Sequence, residues 1–381
     1  MGVYKIFENG VKQVELFVCS SNYQLLNAII IVKENKIDAD LIIMRESIWN
    51  DCNLDILISE GIFKEIYKWT DLLENLSDEK IKKNIHRICV QIKKIFTYIN
   101  KQKIWKSLPN KEKQYDKIHI SYVDSVTLWI YAYFKRKGAA LSLFEDGTYS
   151  YGCLSYKRTR LRRTLEYILY KGYGIDECTQ MYVKHPEKVK LGDNKDVRLI
   201  RFSQNIDSQI ITNVIFPLYR TNISFISKFK KPVIIFDQNF ELNEVKKIQI
   251  NIARRTVDVF GDENVLVKMH PSSRNVNYGE SISALKEKFP FELVMAYEDV
   301  HKKILISIFS TASMSPKLDF DQEPYVIYTY KLYGNLFSIG DIYLNQIEEL
   351  KNSYADKRKI AVPNSMDEFI HVLKEFKDEI E

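Results

Sequence analysis

The sequence holds no uninterrupted apolar run of about 18 residues, the length a membrane-spanning helix needs, so a chain that folds in water is expected. Its opening, MGVYKIFENG, has neither the basic nor the apolar stretch of a secretory signal, which makes the cytoplasm the expected address. Cysteine is sparse: five in 381 residues, at Cys19, Cys52, Cys89, Cys153 and Cys178, odd in number and never spaced CxxC. That pattern supplies neither a disulfide framework nor a zinc site, and reduced, mostly buried thiols are expected. Also missing are GxxxxGK(S/T), a GxGxxG after the first apolar run, and GxSxG. Their absence argues against a P-loop nucleoside triphosphatase, a Rossmann dehydrogenase and an α/β-hydrolase. Low-complexity tracts and short internal repeats are absent as well.

What is present fits an ordinary globular chain, with 45% hydrophobic and 28% charged residues. Its length suits two domains, each able to bury its own core. The net charge of +6 is mild, but the positive charge is gathered. One cluster is Lys157, Arg158, Arg160, Arg162 and Arg163; another is Lys228, Lys230 and Lys231, with Phe225 and Phe229 interleaved. Such a cluster is either a solvated helix face or a seat for an anionic partner. No recognised nucleic-acid module accompanies them, so nucleic acid is not the expected partner.

Short apolar runs alternate with helical stretches along the chain. VELFV (14–18), then LLNAIIIVKE at helical length, then ADLIIM (39–44), read as a βαβ unit with parallel strands. Residues 56–103 look mainly helical, and strand-like runs recur at KIHISY (117–122), ALSLF (140–144), MYVKHPE and VRLIRF. After a polar stretch at 203–208 the alternation restarts with PVIIF (232–236), a helix from Leu242 to about Val259, and NVLVKM (264–269). Further candidate strands are 291–295, 303–308 and 325–328, and the segment from Ser365 to Glu381 reads as an amphipathic helix that could pack across the domain junction. Two such series predict two doubly wound Rossmann-like domains, 1–210 and 211–381.

In doubly wound sheets ligands bind beyond the carboxyl ends of the strands, so polar residues there are the candidates. Three groups qualify: Glu145-Asp146-Gly147 after ALSLF, His270-Pro271 after NVLVKM, and Ser310, Thr311 and Ser313 after KILISIF. A strand-end carboxylate can deprotonate an acceptor hydroxyl, although the same tripeptide also makes a plain turn. A histidine in that place can serve a phosphate, and His185-Pro186 presents the same dipeptide a second time. Small hydroxyl residues at a helix start either seat an anion or merely cap the helix. Asp38-Ala39-Asp40 and Asp319-Phe320-Asp321 mimic a metal-binding DxD, and the first leads into a strand. No His/Cys cluster has metal-ligand spacing.

Together, LFVCSSNYQLLNAI, LFEDG, VKMHP and FSTAS resemble, in order and spacing, bacterial sialyltransferases of glycosyltransferase family 52. The resemblance implies a GT-B fold with two Rossmann-like domains facing a central cleft, the first on the acceptor side and the second holding the nucleotide sugar. It further implies inverting transfer of sialic acid from CMP-sialic acid to a galactose-type hydroxyl of a surface glycan, lipooligosaccharide or capsule, with no metal required. In that picture His270, Pro271, Ser310, Thr311, Ser313 and Gly147 contact the donor. The base is Asp146, with Glu145 and Asp237 as rivals, and Ser20, Ser21, Asn22 and Gln24 touch the acceptor or sugar. Arg160, Arg162 and Arg163 would hold the enzyme peripherally on an anionic membrane, and the resemblance admits a homodimer. Two other readings stand beside it: the same fold with another sugar-nucleotide donor, and a catalytically silent nucleotide- or glycan-binding protein.

Overall fold

The computed structural model describes residues 14–44, 46–69, 105–121, 125–147, 149–155, 174–192, 196–203, 206–239, 242–270, 273, 276–279, 282–286, 289–336 and 340–381. The chain divides into two compact units, one of Met1–Asn50 with Leu54–Ser203, the other of Asp51–Asn53 with Gln204–Glu381. The division expected between residues 210 and 211 falls inside a helical stretch of the second unit, where Ser208–Ile210, a π-helical turn Ile211–Ile215 and Phe216–Leu218 run on without a break.

In unit 1 the strands are β1 (Glu15–Cys19), β2 (Ala39–Ile43), β3 (Ile66–Lys68), β4 (Lys117–Ile120), β5 (Ala140–Phe144), β6 (Cys178–Val183) and β7 (Arg198–Arg201). They form one sheet in the order β3-β2-β1-β4-β5-β6-β7, and every neighbouring pair is parallel. Parallel strands covered on both faces carry continuous rather than alternating apolar sequence, which is why ADLII and ALSLF read as unbroken runs. Helix α1 (Asn22–Asn35) follows β1; Ser21 caps it, its hydroxyl accepting the Gln24 N–H at 3.1 Å, and Lys36 ends it in the left-handed region. Helix α2 (Ser125–Lys135) joins β4 to β5, packing Trp129, Tyr131 and Phe134 into the core.

Unit 2 repeats the plan with β8 (Val233–Phe236), β9 (Val265–Lys268), β10 (Ser283–Leu285), β11 (Ile304–Ser307), β12 (Tyr325–Tyr328) and β13 (Ile360–Ala361). Their order is β10-β9-β8-β11-β12-β13, again parallel throughout. Helix α3 (Asn243–Phe260) buries Val245, Ile252 and Ala253 against this sheet. Helix α4 (Asp341–Ser353) precedes β13, and the last helix, α5 (Met366–Ile380), sinks Phe369, Leu373 and Phe376 into the core of unit 2 itself. Each fully buried side chain of this kind contributes roughly 1.5–3 kcal/mol.

Both units are therefore doubly wound, as the alternation predicts, and both reverse strand order once, between β1 and β4 and between β8 and β11. Two details differ from the sequence reading. The run 291–295 is not a strand: after Pro290, Phe291–Leu293 forms a buried 3-10 turn, because a short apolar run fits a buried turn as well as a strand. The strands β3, β10 and β13, of two or three residues each, carry too little sequence to show a period. The four cysteines Cys19, Cys52, Cys153 and Cys178 are buried free thiols, and Cys89 lies outside the described residues. Among the described residues no helix is long and apolar enough to cross a membrane.

Candidate active-site residues at the strand ends

Glu145 and Asp146 follow β5 directly and face opposite fates. Glu145 is 2% exposed. Its Oε1 accepts the Tyr23 hydroxyl at 3.1 Å, and its Oε2 accepts the Tyr151 hydroxyl at 2.7 Å and the Lys184 N–H at 2.8 Å. The Lys184 ammonium, itself buried beyond β6, donates to the Tyr23 oxygen at 3.1 Å and lies 5.0 Å from that ring's centre. A buried carboxyl group needs such partners, and Glu145 is tied on both oxygens. Asp146 is half-buried; its N–H donates to Ser150 Oγ at 2.7 Å and its Oδ2 accepts the Gln24 side-chain amide at 2.9 Å. Its charge reaches inward as well, since the Cys19 thiol is pushed well above its ordinary range by burial first and by Asp146 second. Gly147 then turns the chain at φ +63°, a conformation that a side chain would strain.

The segment after β1 lies beside this pair. Ser20 and Ser21 are half-buried, whereas Asn22 and Gln24 are buried. Asn27, one turn further along α1, donates to the Glu145 carbonyl at 3.1 Å. His185, of the second HP pair, is at the end of β6, 3.1 Å from Glu187, which also pairs with Arg201.

In unit 2 the acid after β8 is the organiser. Asp237 is 4% exposed; its Oδ1 accepts the Tyr278 hydroxyl at 2.6 Å, and its Oδ2 accepts the His270 N–H at 3.2 Å and the Ser273 hydroxyl. Burial, with the Asp237 charge behind it, pushes the Tyr278 hydroxyl far above its usual range. Asp237 thus pins the chain that leaves β9, while the His270 residue itself is exposed. The next residue ties the other neighbour: Gln238 Oε1 accepts the Phe309 N–H at 2.9 Å, beyond β11. His270 and the hydroxyl cluster are joined through Asp237-Gln238.

Within that cluster, Ser310 Oγ accepts the Ala312 N–H at 3.3 Å, capping a 3-10 turn, Thr311–Ser313. Ser313 is fully buried, its hydroxyl donating to the Ser310 carbonyl at 2.6 Å and sitting 3.1 Å from Ser307 Oγ. Thr311 is exposed and Ser310 half-buried. Between β8 and β11 lies a cavity of about 10 Å³, room for one water, lined by Asp237, Gln249, Tyr278, Ser307, Thr329 and Tyr333 among others. Beside β9 a larger groove of about 550 Å³ is lined by Met269, Asn277, Tyr278, Gly279 and Lys286 among others.

The DxD look-alikes serve the fold. Asp40 is wholly buried at the start of β2, bonded to Lys113 at 2.9 Å and Tyr115 at 2.8 Å. Asp319 is buried on a short helix, and Asp321 ends that helix with φ 52° and pairs with Lys317. Pro271, Arg160, Arg162 and Arg163 lie outside the described residues. Sequence reading passed over Tyr23, Asn27, Tyr151, Lys184, Ser273 and Tyr278. One signal was available: polar Asn22, Gln24 and Asn27 are buried in a helix whose other buried residues are all apolar, and buried polar groups need partners.

No family model and no curated protein matches the sequence. Solved structures do. The chain is similar to CalG4, the calicheamicin glycosyltransferase, with a TM-score of 0.54 and 9% identity over 97% of this chain and 90% of that one. Weaker likenesses are to the S. aureus MnaA-UDP structure, TM-score 0.49 and 14% identity over 96% and 88% of the two chains. Another is to the spinosyn forosaminyltransferase SpnP, TM-score 0.48 and 10% identity over 97% and 95%. The likeness to CalG4 is one of fold: two Rossmann-like α/β units with parallel sheets, the GT-B arrangement of domains along the chain.

Proposed function

We propose that this chain is a glycosyltransferase that moves a sugar from a nucleotide donor to a hydroxyl acceptor. The observation that carries this reading is the fold shared with a named glycosyltransferase over nearly the whole chain, with polar residues at the strand ends where doubly wound sheets bind ligands. Asp146, a half-buried residue, is the base: its carboxylate accepts the acceptor's proton as the hydroxyl attacks, and the anomeric centre inverts. His270, Ser310 and Thr311 receive the donor phosphate, offsetting the negative charge that grows on the departing nucleotide. Glu145 and Asp237 are the internal supports of Asp146 and of the His270 segment.

The donor is a separate question. The likeness to CalG4 supports glycosyl transfer and carries no pointer to sialic acid, so it favours a sugar nucleotide of another kind over CMP-sialic acid. The sialyltransferase reading rests on the short motifs LFEDG, VKMHP and FSTAS. Nucleotide release from a panel of UDP-, TDP-, GDP- and CMP-sugars, with His270→Ala alongside, separates the two. Release from a nucleoside-diphosphate sugar is expected, reduced about 10- to 1,000-fold in the variant and persisting in EDTA. Release from CMP-sialic acid alone would return the sialyltransferase reading, and release from no donor would overturn glycosyl transfer.

A further inference from the structure

Helix α1 reaches the acidic turn with three side chains. Tyr23 holds the Glu145 carboxylate, Asn27 holds the Glu145 carbonyl, and Gln24 holds Asp146. Tyr23 and Asn27 stand one helical turn apart, and Gln24 is three residues before Asn27, so one side of the helix grips the turn. Gln24 is 3% exposed, which takes it out of reach of an acceptor sugar. The orientation of its amide is dictated by the chain. The Ser20 N–H, which can only donate, lies 2.6 Å from Gln24 Oε1, and Ser20 Oγ donates to the same oxygen at 3.0 Å. The carbonyl must therefore face Ser20, and the NH2 must face Asp146 Oδ2 at 2.9 Å. Ser21 fixes the start of the helix from the other side, accepting the Gln24 N–H. The Asp146 side chain is thus aimed from the end of β1, across the sheet from its own strand.

We propose that Gln24 is a positioning residue, which orients the Asp146 carboxylate toward the acceptor hydroxyl; this rests on the reading of Asp146 as the base. A carboxylate that loses this donor is held less firmly in the attacking geometry, and small misplacements of this kind cost up to about 100-fold in rate. Gln24→Leu removes both contacts. Gln24→Glu keeps the acceptor for Ser20 and sets a second carboxylate against Asp146, so the two would share one proton and the acidic limb of the pH profile would move upward.

The test combines kinetics on the sugar-nucleotide panel with side-chain amide NMR of the full chain. Expected are a kcat lower by about 10- to 100-fold in both variants with donor KM changed less than about threefold, and an acidic limb raised by about one pH unit or more in Gln24→Glu. The Gln24 amide signal should move as pH is lowered, and that movement should vanish in Asp146→Asn. Wild-type kcat and an unmoved profile in both Gln24 variants, with Asp146→Asn inactive, would overturn the positioning role alone. A fully active Asp146→Asn would overturn the underlying reading instead. Should Gln24→Leu fail to fold, Gln24→Glu decides. Should no donor turn over, the NMR decides the coupling, since a Gln24 amide indifferent to Asp146 would contradict it.

Discussion

The two units share strand order and parallel pairing, yet they treat their strand-end acids differently. In unit 1 the buried acid, Glu145, is followed at once by the half-exposed Asp146, so support and working group are neighbours in sequence. In unit 2 the buried acid, Asp237, supports a histidine just beyond another strand by accepting its backbone N–H. A cation, Lys184, stands in the first network, bonded to the Tyr23 hydroxyl that Glu145 receives. Hydroxyls and an N–H suffice in the second. The lesson is that a carboxylate at the end of a strand is not thereby a catalytic one: burial with both oxygens hydrogen-bonded marks a support, and partial exposure marks a candidate for chemistry.

The comparison breaks most visibly in activity. Asp146→Asn keeps the shape and the hydrogen-bonding turn but cannot take a proton, so turnover should fall about 100- to 10,000-fold while the thermal midpoint hardly moves. Asp237→Ala should act on stability instead, leaving Tyr278, Ser273 and the His270 N–H without their acceptor. A loss of about 2–4 kcal/mol in denaturant unfolding is expected, and an unchanged midpoint would remove its role as a support.

Acid should distinguish the units next. His119 is wholly buried in unit 1, stacked on Phe17 at 4.1 Å, with Nε2 2.6 Å from Glu15. Burial, only partly opposed by Glu15, holds its pKa below the usual 6.5. For Glu15, burial works upward, but the hydrogen bonds and charges of His119 and Lys117 outweigh it and bring the carboxyl down to about 2. Both depressions have the same sign: the stability is complete above the unfolded pKa and is lost as pH falls, from 6.5 downward for His119 and from 4.5 toward about 2 for Glu15. The histidines of unit 2, His270, His301 and His371, are exposed. Thermal unfolding of His119→Gln should therefore depend less on pH below 6.5 than the wild type does; identical pH dependence would contradict this.

Much of the architecture was legible because parallel strands buried on both faces announce themselves as apolar runs, and ALSLF ending at Glu145 located the acidic turn without a structure. The division of labour within that turn was not legible. It depends on Tyr23, 122 residues away, and on Lys184, 39 residues away, whose approach only the sheet order creates. For the same reason Asp237 read as a rival base, although Tyr278, 41 residues on, closes over it. Gln24 read as an acceptor contact because a polar residue after a first strand is usually a loop residue, whereas here it lies inside the first turn of α1.

The smallest effect sharpens the comparison furthest. Ser21 caps α1 in unit 1 and Ser365 caps α5 in unit 2, each hydroxyl accepting one helix N–H. Alanine at either position should cost about 1 kcal/mol. Only Ser21→Ala should also slow turnover, by a few-fold, because it loosens the turn that aims Gln24; equal activity in the two variants would detach α1 from Asp146.

The most direct measurement is the rate of nucleotide release by Asp146→Asn and Glu145→Gln, each paired with its thermal midpoint. Asp146→Asn should lose activity at unchanged stability, and Glu145→Gln should lose stability first. An Asp146→Asn enzyme as fast as the wild type, beside a stable but inactive Glu145→Gln, would contradict the assignment of the partly exposed acid to chemistry and the buried one to support.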